Sequence, residues 1–138
     1  MGCDVHPYVE FFSNGEWKYY GQVASQRNYY FFGLLSNVRG EGPQHFAVMA
    51  NDAAESDLSE TMSKEVREAW EQGVGDWHTL SVGGVDERHD MMDTLAEETD
   101  TDSKAHTVPR VKEWLKVLTS LKRMRGVEDA RIVLWYDN

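Results

Sequence analysis

Residues 3–23 read Cys3-Asp4-Val5-His6-Pro7-Tyr8-Val9-Glu10-Phe11-Phe12, then Ser13-Asn14-Gly15, then Glu16-Trp17-Lys18-Tyr19-Tyr20-Gly21-Gln22-Val23. Two β-rich runs around an Asn-Gly pair predict a hairpin, because Asn and Gly readily take the positive φ values of a tight turn. Its strands span 3–12 and 16–23, the second rich in aromatic β-formers. Side chains alternate along a strand, so Cys3, Val5, Pro7, Val9 and Phe11 share one side and suit a core. Asp4, His6, Tyr8 and Glu10 share the other. Carboxylates, an imidazole and a phenol in one row are groups that bind metals, move protons or hold polar ligands.

Downstream, Asn28 suits the cap of a short helix that buries Phe31, Leu34, Leu35 and Val38. Arg39 to Pro43, with Gly40 and Gly42, reads as a loop, as does the acidic stretch 51–61. A helix is expected from Ser63, with Val66, Ala69 and Trp70 apolar and Gly73 and Gly75 ending it. Asp76 to Val82 reads as a short strand or ordered loop. Residues 86–104 carry eight acids, Asp86, Glu87, Asp90, Asp93, Glu97, Glu98, Asp100 and Asp102. They predict a short surface helix followed by a mobile loop.

Pro109 suits the first turn of a helix with a stripe of Val111, Trp114, Leu115, Leu118 and Leu121. Gly126 ends it, and the final run Ala130-Arg131-Ile132-Val133-Leu134-Trp135-Tyr136-Asp137-Asn138 is apolar on both faces, as a central strand is. The fold class is α+β. A small, mostly antiparallel sheet combines the N-terminal hairpin with the C-terminal strand, and helices pack on one face. If the last strand lies beside the first, Asp137 and Asn138 come to one end of the Asp4/His6 row.

With 138 residues the chain is expected to form a single domain over 1–138 and to bury roughly 70% of its unfolded surface. Hydrophobic residues at 41% and five Trp give a globular composition. No apolar run approaches the ~18 residues of a membrane span, and no signal segment is visible. A single cysteine fits a reducing compartment, so an intracellular location is expected. The Met-Gly-Cys start does not fit myristoylation, which prefers Ser or Thr where His6 stands. A net charge of −10 repels nucleic-acid backbones and argues against direct nucleic-acid binding. It leaves open the opposite role, an acidic decoy for a protein that binds nucleic acid.

Asp4 and His6, two apart on one strand face and ~6–7 Å apart at Cα, are the candidate catalytic pair. Glu10, His78 or Asp137 would complete a metal site if one exists; neither a metal nor a cofactor is specified. Arg27 offers a planar fork for phosphate, and the helix starting at Asn28 adds backbone donors. Tyr8, Tyr29 and Trp77 can stack on a planar ring, with His78 in a pocket wall. The plainer reading makes these groups hydrogen-bonded packing, a helix cap and surface ion pairs. His89, Asp90 and Asp93 resemble a metal doublet but lack further ligands, and Cys3 reads as a buried structural thiol. Phosphate-binding Gly-rich loops, Gly-x-Ser-x-Gly, His-Glu-x-x-His and Cys-x-x-Cys are all missing, which disfavours the large marked enzyme classes.

The start Met1-Gly2-Cys3-Asp4-Val5-His6, the Arg27-Asn28-Tyr29 element and the ending Arg131 to Asn138 resemble a family of small phage and prophage proteins. Its members open on a Met-Gly-Cys-Asp-Ile-His type sequence and close on an apolar strand ending Asp-Asn. The resemblance is good over the termini and 27–39 and loose over 40–107, where Asp76-Trp77-His78-Thr79-Leu80 partly matches a His/Ser/Trp element. It implies a viral or prophage origin and no mechanism. The expected function is a phage accessory protein in the host cytoplasm that binds or hydrolyses a small nucleotide-like or phosphorylated ligand, against host defence. The rival is an acidic nucleic-acid mimic that binds and inhibits a host nucleic-acid enzyme.

Overall fold

The computed structural model describes residues 4–23, 58, 60–73, 77–84 and 102–137. Within them run β1 (Val5–Ser13), β2 (Glu16–Gln22), α1 (Lys64–Gln72), β3 (Trp77–Gly84), α2 (Asp102–Lys122) and β4 (Asp129–Asp137). The four strands form one sheet in the order β2-β1-β4-β3, and every pairing is antiparallel. The fold is α+β, as the hairpin and final strand imply.

The hairpin turn has φ of 54° at Asn14 and 81° at Gly15. Both values lie in the left-handed region, which Asn and Gly reach at low cost. β1 and β2 lose register between Val9 and Glu10, where Val9 opposes Gly21 and Glu10 opposes Tyr19. Tyr20 is the extra residue of that bulge, and it is exposed.

β4 lies beside β1, with Val5 opposite Tyr136 and Glu10 opposite Arg131. Ala130 to Tyr136 are all buried, so β4 is covered on both faces. One cover is α1, whose Val66 and Trp70 pack with Leu58, Met62 and Leu80 on Val133 and Trp135. Trp114, Leu115, Leu118 and Leu121 of α2 are also buried and are not part of that cluster. They cover the alternate face, that of Ile132, Leu134 and Tyr136. The expectation of helices on one face is therefore corrected: a strand apolar on both sides needs cover on both.

Ser63 caps α1, its Oγ accepting from the Val66 N–H at 3.4 Å, and Gly73 closes it. α2 begins well before Pro109, which sits inside the helix. Proline there forfeits one backbone bond, and Pro109 itself is exposed. Thr61 belongs to a helical turn with Leu58, where a loop was expected. The helix expected after Asn28 and most of the acidic segment 86–104 lie outside the described residues. Among the described residues no helix is long and apolar enough to cross a membrane.

Candidate functional site

The face under α1 carries His6, Tyr8, Glu10, Arg131, Val133, Trp135, Asp137 and Trp77 in register. At one end His6 Nε2 lies 2.8 Å from Asp137 Oδ2. A carboxylate only accepts, so the ring donates from Nε2, and in the neutral imidazole the lone pair then lies at Nδ1. The two side chains are 32% and 31% exposed. A hydrogen-bonded acid–base pair thus stands at the surface.

Two further bonds fix Asp137. Its N–H donates to the Asp4 carbonyl at 3.0 Å, and its Oδ1 accepts from the Asp4 N–H at 3.0 Å. The carboxylate that orients His6 is therefore Asp137, 131 positions away, while Asp4 acts on it through its backbone. Aromatic rings wall the pair. His6 stacks on Trp77 at 5.6 Å and on Trp135 at 6.4 Å. Trp135 in turn stacks on Trp77 at 5.0 Å and on Tyr8 at 4.9 Å, and Trp70 meets it edge-on at 5.3 Å. The Trp135 indole N–H is buried and has no acceptor among the described residues. Its ring is held by contacts to His6, Tyr8, Trp70 and Trp77.

Trp77 is held from behind. Its N–H donates to the Gly73 carbonyl at 3.2 Å, and a Cβ on Gly73 would run into the Trp77 ring. The glycine that ends α1 thus makes room for the wall of the site.

Glu10, expected in the ligand row, is entirely buried. Its Oε1 accepts from Arg131 at 2.9 Å and its Oε2 from the Ser63 N–H at 2.6 Å. Both oxygens are spent on the protein, which leaves none for a ligand. Arg131 also donates to Thr61 Oγ1 at 3.2 Å, and its guanidinium lies 4.0 Å from the Trp17 ring centroid. Desolvation lowers the Arg131 pKa below its ordinary value, and the Glu10 charge opposes that shift. An arginine there remains a cation.

The structure thus brings His6, Asp137, Trp77, Tyr8 and the Asp4 backbone together, and sets Glu10 apart. His78 pairs through its backbone with Tyr136. Arg27, Asn28 and Tyr29 lie outside the described residues. Among those described, no three His, Cys, Asp or Glu side chains gather as a metal site would need. Sequence reasoning missed Trp135 and Arg131 as partners of this face. Arg131 was detectable, since a cation inside an apolar central strand demands a buried carboxylate. A comparison with protein-family models gives no match, and neither curated proteins nor solved structures provide a similar one.

Proposed function

We propose that this chain binds a small polar ligand, nucleotide-like in carrying a planar ring, at the His6 end of the sheet, and that His6 moves a proton on it. The observation that supports this most is the 2.8 Å bond from His6 to Asp137 beside the Trp77 ring, with both partners open to solvent. Asp137 orients the imidazole, as the carboxylate of an acid–base pair does. A water held at Nδ1 would give its proton to the ring while its oxygen attacks an ester or phosphoryl centre; the bond to the leaving oxygen then breaks and the imidazolium returns the proton to that oxygen, which makes hydrolysis the matching reaction class. Tyr8, stacked on Trp135 at 4.9 Å, would offer its other face to a planar ring, while Trp77 holds the His6 ring by stacking on it. Arg27 and Asn28 remain the proposed phosphate contacts on their residue types alone.

The phage origin and the countering of host defence, inside the host cell, rest on the resemblance of the chain's termini. The second reading is an acidic inhibitor of a host nucleic-acid enzyme. Glu65, Glu68 and Glu71 on the exposed side of α1 favour it, together with the net charge of −10.

Native mass spectrometry of the protein purified from a host lysate separates the two. A bound small molecule present in the native mass, and lost in His6→Ala and Asp137→Asn variants that stay folded, supports the first reading. Activity that survives both substitutions but disappears when Glu65, Glu68 and Glu71 are made Gln overturns it in favour of the second.

A further inference from the structure

A concavity lies where the hairpin turn approaches the start of α1, with a volume of about 390 Å³. Small-molecule sites span about 300–1,000 Å³. Trp17, Glu16, Thr61, Glu60, Lys64 and Arg67 are among its lining residues. Phe12, opposite Trp17 in the hairpin, is six residues along β1 from His6, about 20 Å at strand rise. The two places are separate.

The charges around this groove cancel, with Glu16 and Glu60 against Lys64 and Arg67. The start of α1, which would otherwise favour an anion, already has one: Glu10 Oε2 sits 2.6 Å from the Ser63 N–H. An incoming phosphate would find a neutral rim and an occupied helix start. A hydroxyl-rich neutral ligand would find donors and acceptors of both kinds.

The aromatic floor suits the same ligand. Arg131 covers the Trp17 ring at 4.0 Å and does not line the groove, so the covered face is the inner one. Phe12 meets the ring edge-on at 5.2 Å, and these two contacts fix its plane. Two groups of the rim are held as well. Arg67 Nη2 donates to the Glu60 carbonyl at 2.9 Å and the Met62 carbonyl at 3.4 Å. Thr61 Oγ1 donates to the Leu58 carbonyl at 3.0 Å and accepts from Arg131. A fixed ring and a held guanidinium lower the ordering cost of binding, and the exposed Glu16, Glu60 and Lys64 side chains add acceptors and a donor that order on the ligand. We infer that this groove is a saccharide-binding site, in which the C–H face of a neutral sugar stacks on Trp17 and its hydroxyls bond to Glu16, Glu60, Lys64 and Arg67.

The test follows the indole N–H signals of the ¹⁵N-labelled full chain by NMR while maltose, cellobiose and N,N′-diacetylchitobiose are added separately. The signal missing from Trp17→Phe is expected to shift and saturate with at least one of them, at a dissociation constant of about 1 mM. Lys64→Ala, an exposed change that breaks no bond among the described residues, is expected to weaken that binding about tenfold, the worth of one charged hydrogen bond. His6→Ala is expected to leave it unchanged, so this inference stands or falls apart from the ligand site at His6. A Trp17 signal unmoved by all three disaccharides overturns it. So does a signal that inorganic phosphate shifts and the sugars do not.

Discussion

Glu10 and His6 stand four residues apart on one strand face, and their surroundings give them different work. His6 keeps about a third of its surface in water beside a carboxylate. Glu10 has none, and its neighbour Arg131 is nearly as deep. A buried ion pair adds little over packed hydrocarbon, but breaking one leaves an uncompensated charge. Glu10→Ala is therefore expected to cost about 3–5 kcal/mol in urea unfolding. Replacing both partners together, Glu10→Leu with Arg131→Met, is expected to restore most of that loss, within about 1 kcal/mol of the parent or above it. A double variant as unstable as the single one would show that Arg131 matters chiefly through Trp17 and Thr61. Alternation along β1 correctly put His6, Tyr8 and Glu10 on one face. It could not say which part of that face α1 covers, because this depends on a helix more than fifty residues away.

Helix α1 shows how local signals and tertiary contacts divide the labour. Its ends were legible, since Ser63 before an apolar period and Gly73 after it are the usual cap residues. Gly73 has a second duty that no local signal carries, as Trp77 packs directly against it. Gly73→Ala is expected to push that ring aside and cost about 1–3 kcal/mol as an overpacked contact. Near-UV circular dichroism checks this, because Trp77, Trp70 and Trp135 are in mutual contact and a displaced ring alters their coupled signal. An unchanged spectrum would mean that α1 shifts instead of the ring. Ser63→Ala is expected to cost about 0.5–2 kcal/mol in thermal or urea unfolding, toward the lower end given the 3.4 Å cap bond. The start of α2 was the opposite case. Pro109 is a common first-turn residue, and the sequence around it gave no sign that the helix had already begun at Asp102.

Across the molecule, β4 lies between β1 and β3, although 115 residues separate its first residue from the hairpin turn's Asn14. Its all-apolar run announced a central place, and the match of Asp137 to the His6 end followed from pairing with β1. The neighbour on its other side was not legible, because antiparallel partners leave no sequence mark beyond their own alternation. Charge is the second property of the whole chain. Glu65→Gln, Glu68→Gln and Glu71→Gln together remove three of the negative charges behind the net −10 and leave the His6 face untouched. They are expected to raise the melting temperature at low salt and to do so less at high salt, because self-repulsion within an acidic chain is screened. No change at either salt concentration would mean that these glutamates are already balanced by nearby cations. The position of β4 also governs how the protein comes off the ribosome. By the time residue 128 has been added, the hairpin and both helices exist as chain, but the strand they pack around does not. Until residues 129–137 are added, Val66, Trp70, Trp114 and Leu118 lack a central strand of the sheet they pack on. A chain that stops before β4 is therefore expected to lack the strand that joins β1 to β3 and to leave these side chains without their cover.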